Sequence, residues 1–288
     1  MNLLMQIDPL VHAVLRMSGV IAALLLGACA TQQATDSAPD ATDSIGASAW
    51  AHSSQADSLA TYKFSQWLHF TLPGKQPNIY LPAKHDGRDA VRVQSDASIS
   101  IVRQKVNVPA HELSHIKFSW KVSQLIANAD LAVRELSDSP VRIVMAFDGD
   151  RSRLSAKNTM LSELSHALTG EPLPYATLMY VWCNQCARES VIHNTRTDRI
   201  MKLAIESGGQ NLNQWIDYER DIHADFQKAF GEPPGTLLGI AIMTDTDNTR
   251  GTTSAWYGKV QLVSSPRRTK PLQNTDNILP ANTMTSAK

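Results

Sequence analysis

Seven residues in the middle of the chain, Ile116-Lys117-Phe118-Ser119-Trp120-Lys121-Val122, alternate apolar and polar without a break. Successive side chains of an extended strand point to opposite faces, so this alternation specifies a strand with one dry face and one wet face. Such a strand needs hydrogen-bonded neighbours on its edges and a second layer over its dry side. Residues 141–147, 177–182, 200–205, 237–243 and 255–263 can supply them, being of strand length and rich in β-branched or aromatic side chains. Residues 90–94 and 98–102 add a further pair of strands around Ser95-Asp96. Only two helices are predicted. Ser155 caps a short one ending at Gly170. Asn211 or Asn213 caps a longer one, with Trp215, Ile222, Phe226, Ala229 and Phe230 along one side and Gly231 with Pro233-Pro234 at its end. The expected fold is mainly β: a single, jelly-roll-like β-sandwich with one or two peripheral helices.

The two ends of the chain fall outside this pattern. Arg16 precedes an apolar run over residues 17–26 that is too short to span a bilayer and has the length of a secretory leader. The segment before it holds Asp8 and Pro9 and is poorly basic, which makes Met17 an alternative start. The run closes on Leu26-Gly27-Ala28-Cys29, which resembles the lipobox of bacterial lipoproteins. The resemblance implies removal of residues 1–28 as a signal peptide and acylation of Cys29, palmitate included. Ala30 and Thr31, rather than Asp, follow the cysteine, which favours the outer membrane with the protein facing the periplasm. Residues 29–60, mostly Ala, Ser, Thr, Asp and Gln, read as a flexible tether, residues 61–263 as the sandwich domain and residues 264–288 as a disordered tail. The 27 basic and 27 acidic residues balance, which argues against nucleic acid as a partner.

Four motifs carry chemistry. His111-Glu112-Leu113-Ser114-His115 spells the H-E-x-x-H of zinc proteases, in which two histidines one helical turn apart hold the metal. Pro109 before it and the period-two strand after it leave no helix to present both histidines, so zinc is not expected. Cys183 and Cys186 form a C-x-x-C at a strand end, which in an exported chain is expected as a structural disulfide. Asp245-Thr246-Asp247-Asn248-Thr249 lies between two strands. Asp245 and Asp247 could offer oxygens to calcium, but the run lacks the glycine and distal glutamate of a helix–loop–helix site. Asp148, at another strand end, shares that ambiguity between ligand and turn former. Finally, Trp256 and Tyr257 follow the Asp-rich loop, and aromatic faces can stack on sugar rings.

Leu178-Met179-Tyr180-Val181-Trp182, Ile205-Glu206-Ser207-Gly208, the run from Gly239 to Thr249 and Ala255-Trp256-Tyr257-Gly258 together resemble an uncharacterised bacterial family, domain of unknown function 3047. Phe118 to Val122, Pro140 to Ile143 and Phe147 fit the same pattern, and the likeness spans about residues 65–263. The family implies an exported β-rich domain and no established activity. Cys183 and Cys186 stand where its members place a glycine-containing turn. The functional expectation is a noncatalytic, lipid-anchored module for a cell-envelope ligand such as a glycan, bound through Asp148, Asp245, Asp247, Asn248, Trp256 and Tyr257. The alternatives are an envelope hydrolase using residues 111–115 or the Asp cluster, and a structural lipoprotein that docks a protein partner.

Overall fold

The computed structural model describes residues 45–54 and 64–264. The expected leader, Cys29 and the expected tail beyond residue 264 lie outside the described residues, as does most of the expected tether. Among the described residues no helix is long and apolar enough to cross a membrane.

Twelve strands form two sheets among the described residues: β1 Leu68–Thr71, β2 Ile79–His85, β3 Arg88–Asp96, β4 Ile99–Val108, β5 Leu113–Val122, β6 Ser139–Phe147, β7 Ala176–Cys183, β8 Val191–His193, β9 Ile200–Ser207, β10 Ile216–Asp221, β11 Leu237–Asp245 and β12 Thr252–Ser264. The larger sheet runs β1-β4-β11-β6-β7-β9-β8 and the smaller β10-β5-β12-β3-β2. All pairings are antiparallel except β7 with β9. The chain crosses between the sheets repeatedly, so the β-sandwich expected from the alternation is the fold observed.

The dry faces meet as the period of two demands. On β5, Ile116, Phe118, Trp120 and Val122 are buried, whereas Lys117 is exposed and Lys121 half-buried. Phe118 stacks on Tyr180 of β7 with ring centroids 5.6 Å apart, and Trp120 lies 6.5 Å from Trp182. Tyr257 of β12 crosses the interior, its hydroxyl donating to the Met243 carbonyl at 2.6 Å and accepting from the Arg142 amide at 3.2 Å. Fully burying such rings contributes about 2–3 kcal/mol each, before the ordering cost.

Helix α1, Ala49–Ser53, is a correction to the expected tether. Ile45 and Trp50 are buried, and Trp50 donates its indole N–H to the Gly258 carbonyl at 2.8 Å. The segment is short and its composition is that of a linker, but one large apolar side chain on the domain outweighs that composition. Gly258 itself packs against Ser119 of β5, where a Cβ would overlap Ser119 Oγ. Helix α2, Ala156–Thr169, has Ser155 as its N-cap and Gly170 in the left-handed conformation at its end, as the sequence predicts. Helix α3, Ile222–Phe230, is much shorter than expected. Asp221 caps it, and residues 216–221 form β10, with Asp217, Glu219 and Asp221 on the exposed face of a strand. The strands flanking Ser95-Asp96 also differ from the expected pair: β3 and β4 belong to different sheets, and the chain crosses over at Ala97 with φ +44°.

Candidate functional site

Strand β12 runs through the middle of the smaller sheet, between β3 and β5. Its alternation buries Thr253, Ala255 and Tyr257 and turns Ser254 and Trp256 outward. The register sets Trp256 opposite Arg92 of β3 on one side and Lys121 of β5 on the other. The His85 ring stacks on the Trp256 indole at 4.2 Å and 9°, and Trp215 approaches His85 at 6.3 Å. Trp256 therefore anchors a half-exposed aromatic ridge on an outer face of the sandwich.

The cations around the ridge are not equivalent. Arg88 chelates Asp217 at 2.7 and 3.1 Å while lying over the Trp215 ring, and Lys121 binds Asp86 at 2.7 Å. The Lys121 ammonium holds the Asp86 carboxyl below its ordinary range. Arg92 has no hydrogen-bond or ion-pair partner among the described residues; its guanidinium lies 5.9 Å from the Trp256 ring and its Nε is enclosed without an acceptor. Two residues along β3, Gln94 faces the same way, opposite Ser254. Gln94, Asp96, Ser123, Gln124, Thr252 and Ser254 line a groove of about 460 Å³ there. An aromatic ridge, an uncommitted guanidinium fork and a row of amides and hydroxyls thus lie side by side. That combination can stack on a ring, pair with a carboxylate and exchange hydrogen bonds with hydroxyls.

The other expected site residues do not converge on this face. Tyr257, expected beside Trp256 at the ligand, points the opposite way into the core, where burial pushes its phenol well above the usual range. Asp148 follows β6 at the end opposite Asp138, which precedes it, so it is separated from the Asp-rich loop by the length of that strand. It lines a different cleft, on the outer face of the larger sheet.

Asp245 and Asp247 do come together, with Asp138, which sequence reasoning missed. Their carboxylate oxygens lie within 4.8 Å of one another. Each already has a partner. Asp138 accepts from the Asn248 amide N–H at 3.3 Å, the Asn248 side chain at 2.9 Å, the Thr249 N–H at 2.8 Å and the Thr249 hydroxyl at 2.6 Å. Asp245 pairs with the buried Arg142 at 2.8 Å, and Asp247 pairs with Lys75. Burial drives the Asp245 carboxyl up, to about 8, against the opposing pull of Arg142. Nearby, burial lowers the Lys202 ammonium to about 8, and it donates to the Leu131 carbonyl and Ser137 hydroxyl. The cluster organises the 245–251 loop, and Asn248 is spent on Asp138 rather than presented to a ligand.

The H-E-x-x-H segment is built without a helix, as its flanking residues predict. His111 and Glu112 sit in a 3₁₀ turn, Ala110–Glu112, and His115 lies on β5, so the two histidines share no helical face. Cys183 and Cys186 are joined by a disulfide at the end of β7.

No curated protein matches this chain in sequence. Among solved structures, similar two-sheet β domains include TmCBM61 in complex with β-1,4-galactotriose (13% identity over 72% of this chain and 94% of that one, TM-score 0.31). The xyloglucanase domain of NopAA from Sinorhizobium fredii is 9% identical over 71% of this chain and 98% of that one, with a TM-score of 0.37. The glycoside hydrolase domain of Endo-D from Streptococcus pneumoniae R6 is 9% identical over 69% of this chain, which spans 22% of that one, with a TM-score of 0.33. At these scores the likenesses carry no argument about this chain. Sequence gives a firmer assignment: residues 65–261 match the family described as Protein of unknown function (DUF3047), and the chain belongs to that family.

Proposed function

We propose that the protein is an exported, lipid-anchored, noncatalytic module that binds a cell-envelope glycan bearing carboxylate groups, on the outer face of the smaller sheet. The observation that carries this reading is the juxtaposition of the Trp256–His85 ridge with the unpaired Arg92 and the Gln94–Ser254 groove. A sugar acid matches all three parts: an apolar ring face for the ridge, a carboxylate for the guanidinium and hydroxyls for the groove. Hydrolysis is not favoured. A glycosidase needs two carboxyls facing one bond, one of them kept protonated. Here the raised carboxyl, Asp245, is buried against Arg142 at the end of the other sheet.

Calorimetric titration with matched neutral and uronic-acid oligosaccharides tests the reading. Arg92→Ala removes a charge-assisted contact of about 1.5–3 kcal/mol, so affinity for the acidic oligomer is expected to fall by about 10- to 150-fold. Trp256→Ala is expected to weaken neutral and acidic oligomers alike. Binding that survives both substitutions unchanged overturns the site. Palmitate labelling of the chain, lost in Cys29→Ala and recovered with outer membranes in the unaltered chain, is the expected result for the anchor.

A further inference from the structure

The outer face of the larger sheet is built differently. Around the cleft β11 and β6 turn Gly239, Ala241, Val144 and Ala146 outward, and β4 adds Ile101 on the same face as Arg103 and Lys105. With Phe70 and Leu173 they enclose a cleft of about 630 Å³, within the range of small-ligand sites. The floor's backbone groups are occupied in the ladders joining β4, β11 and β6. The floor therefore offers a peptide no free backbone partner, and a hydrocarbon chain needs none. At the rim Arg103 and Lys105 both bind Glu171, at 2.7 Å in each case, leaving two cations to one carboxylate.

Helix α2, whose Ser165 and Thr169 line the cleft, has its polarity reversed. Its inner side is polar: Asn158 bonds Asp198 and Thr197, and Ser162 bonds Arg151. Its solvent side carries Met160, Leu164 and Leu168 at four-residue spacing, 61%, 54% and 64% exposed. Such a stripe is unfavourable in water and suits the interface of a bilayer.

We infer that this cleft holds the acyl chain of a membrane amphiphile with an anionic head, the chain lying on the Val144–Ala241 floor, the head at Arg103 and Lys105, and the α2 stripe resting on the bilayer it comes from. The site is independent of the glycan face, being on the other sheet.

The test uses the full chain carrying Cys29→Ser, so that no acyl group of its own fills the cleft, and follows the fluorescence of cis-parinaric acid. Saturable enhancement at one probe per chain is expected, with laurate displacing the probe at least tenfold better than dodecyl maltoside. Val144→Trp fills the floor from the solvent side and is expected to weaken the probe tenfold or more at an unchanged circular dichroism spectrum; Ala146→Phe serves if that variant does not fold. The double variant Leu164→Glu, Leu168→Glu is expected to keep probe affinity but lose transfer of the probe from phosphatidylglycerol vesicles. Absence of saturable binding, or full affinity in the folded floor variants, overturns the acyl site. Equal displacement by laurate and dodecyl maltoside overturns the assignment of the head, and unimpaired transfer in the double variant overturns the role of α2.

Discussion

Replacing Tyr257 by phenylalanine removes one oxygen and keeps the ring, so it separates a structural tyrosine from a ligand-binding one. The hydroxyl is fully buried and out of reach of replacement water. It donates to the Met243 carbonyl and accepts from the Arg142 amide, while Thr244 Oγ1 approaches it at 2.9 Å. Thr244 keeps a second partner in the Pro140 carbonyl, so its loss is small. The Met243 carbonyl and the Arg142 amide each lose a bond between the two sheets. A buried partner left unsatisfied costs about 1–3 kcal/mol, and sharing within the ladders places the sum near 2–3 kcal/mol. At about 2–4 °C per kcal/mol for a domain of this size, Tm should fall by roughly 4–12 °C. Urea unfolding should shift its midpoint with an unchanged slope, since the surface exposed on unfolding is the same. Oligosaccharide affinity should stay within twofold, because the hydroxyl faces away from Trp256 and Arg92. A variant that melts with the unaltered protein while losing affinity would refute both the inward placement and the energetics drawn from it.

Trp50→Ala should destabilise the domain by about 3–5 kcal/mol in thermal or urea unfolding, because it empties a buried site and frees the Gly258 carbonyl. Reducing the Cys183–Cys186 disulfide opens only a short loop, so loop-closure entropy limits the loss to about 2 kcal/mol, readable as a small Tm shift on adding dithiothreitol. Asp138→Asn replaces an acceptor oxygen with a donor facing the Asn248 and Thr249 donors, and should speed amide hydrogen exchange across residues 245–251. The Arg103 and Lys105 hydrogen bonds hold the Glu171 carboxyl down from 4.5 to about 2. Its folded value lies below its unfolded one, so its contribution is complete above 4.5 and is lost as pH falls towards 2. The carboxylate is 41% exposed, so solvent screening shrinks the effect; Glu171→Gln should flatten that acid limb of the stability curve.

The sandwich was legible because a strand with one wet face writes its period directly into the sequence, as β5 does. Strand β10 hid the same period. Its half-buried positions are Ile216, Tyr218 and Arg220, and the last is accommodated by ion pairs with Asp225 and Glu189 rather than by an apolar side chain. With a charge at a sheltered position the alternation fails, while Trp215, Ile222 and Phe226 happen to fall at helical spacing. The edge strands β1 and β2 left no clean alternation because Leu68, Ile79 and Leu81 are exposed. Helix α1 was masked by linker composition, with Trp50 as its one apolar clue.

The candidate site was legible in part, and the reason lies in how charges are shared out. Trp256 stands out in the sequence, yet its facing depends on Tyr257 being the residue that crosses to Met243. Arg92 carries no sequence signal at all. It is one of two arginines on β3, and it becomes distinctive only because Asp217 is taken by Arg88 and Asp86 by Lys121. Those pairings join residues remote in the chain, so the surplus cation is a property of the folded sheet. The Asp-rich loop illustrates the converse. Its acidic residues look like a ligand set in one dimension, but Asp138, far away in sequence, gathers Asn248 and Thr249, and Arg142 and Lys75 neutralise the rest. A conspicuous cluster thus finds side-chain partners within the fold, whereas an inconspicuous arginine has no ion-pair partner among the described residues.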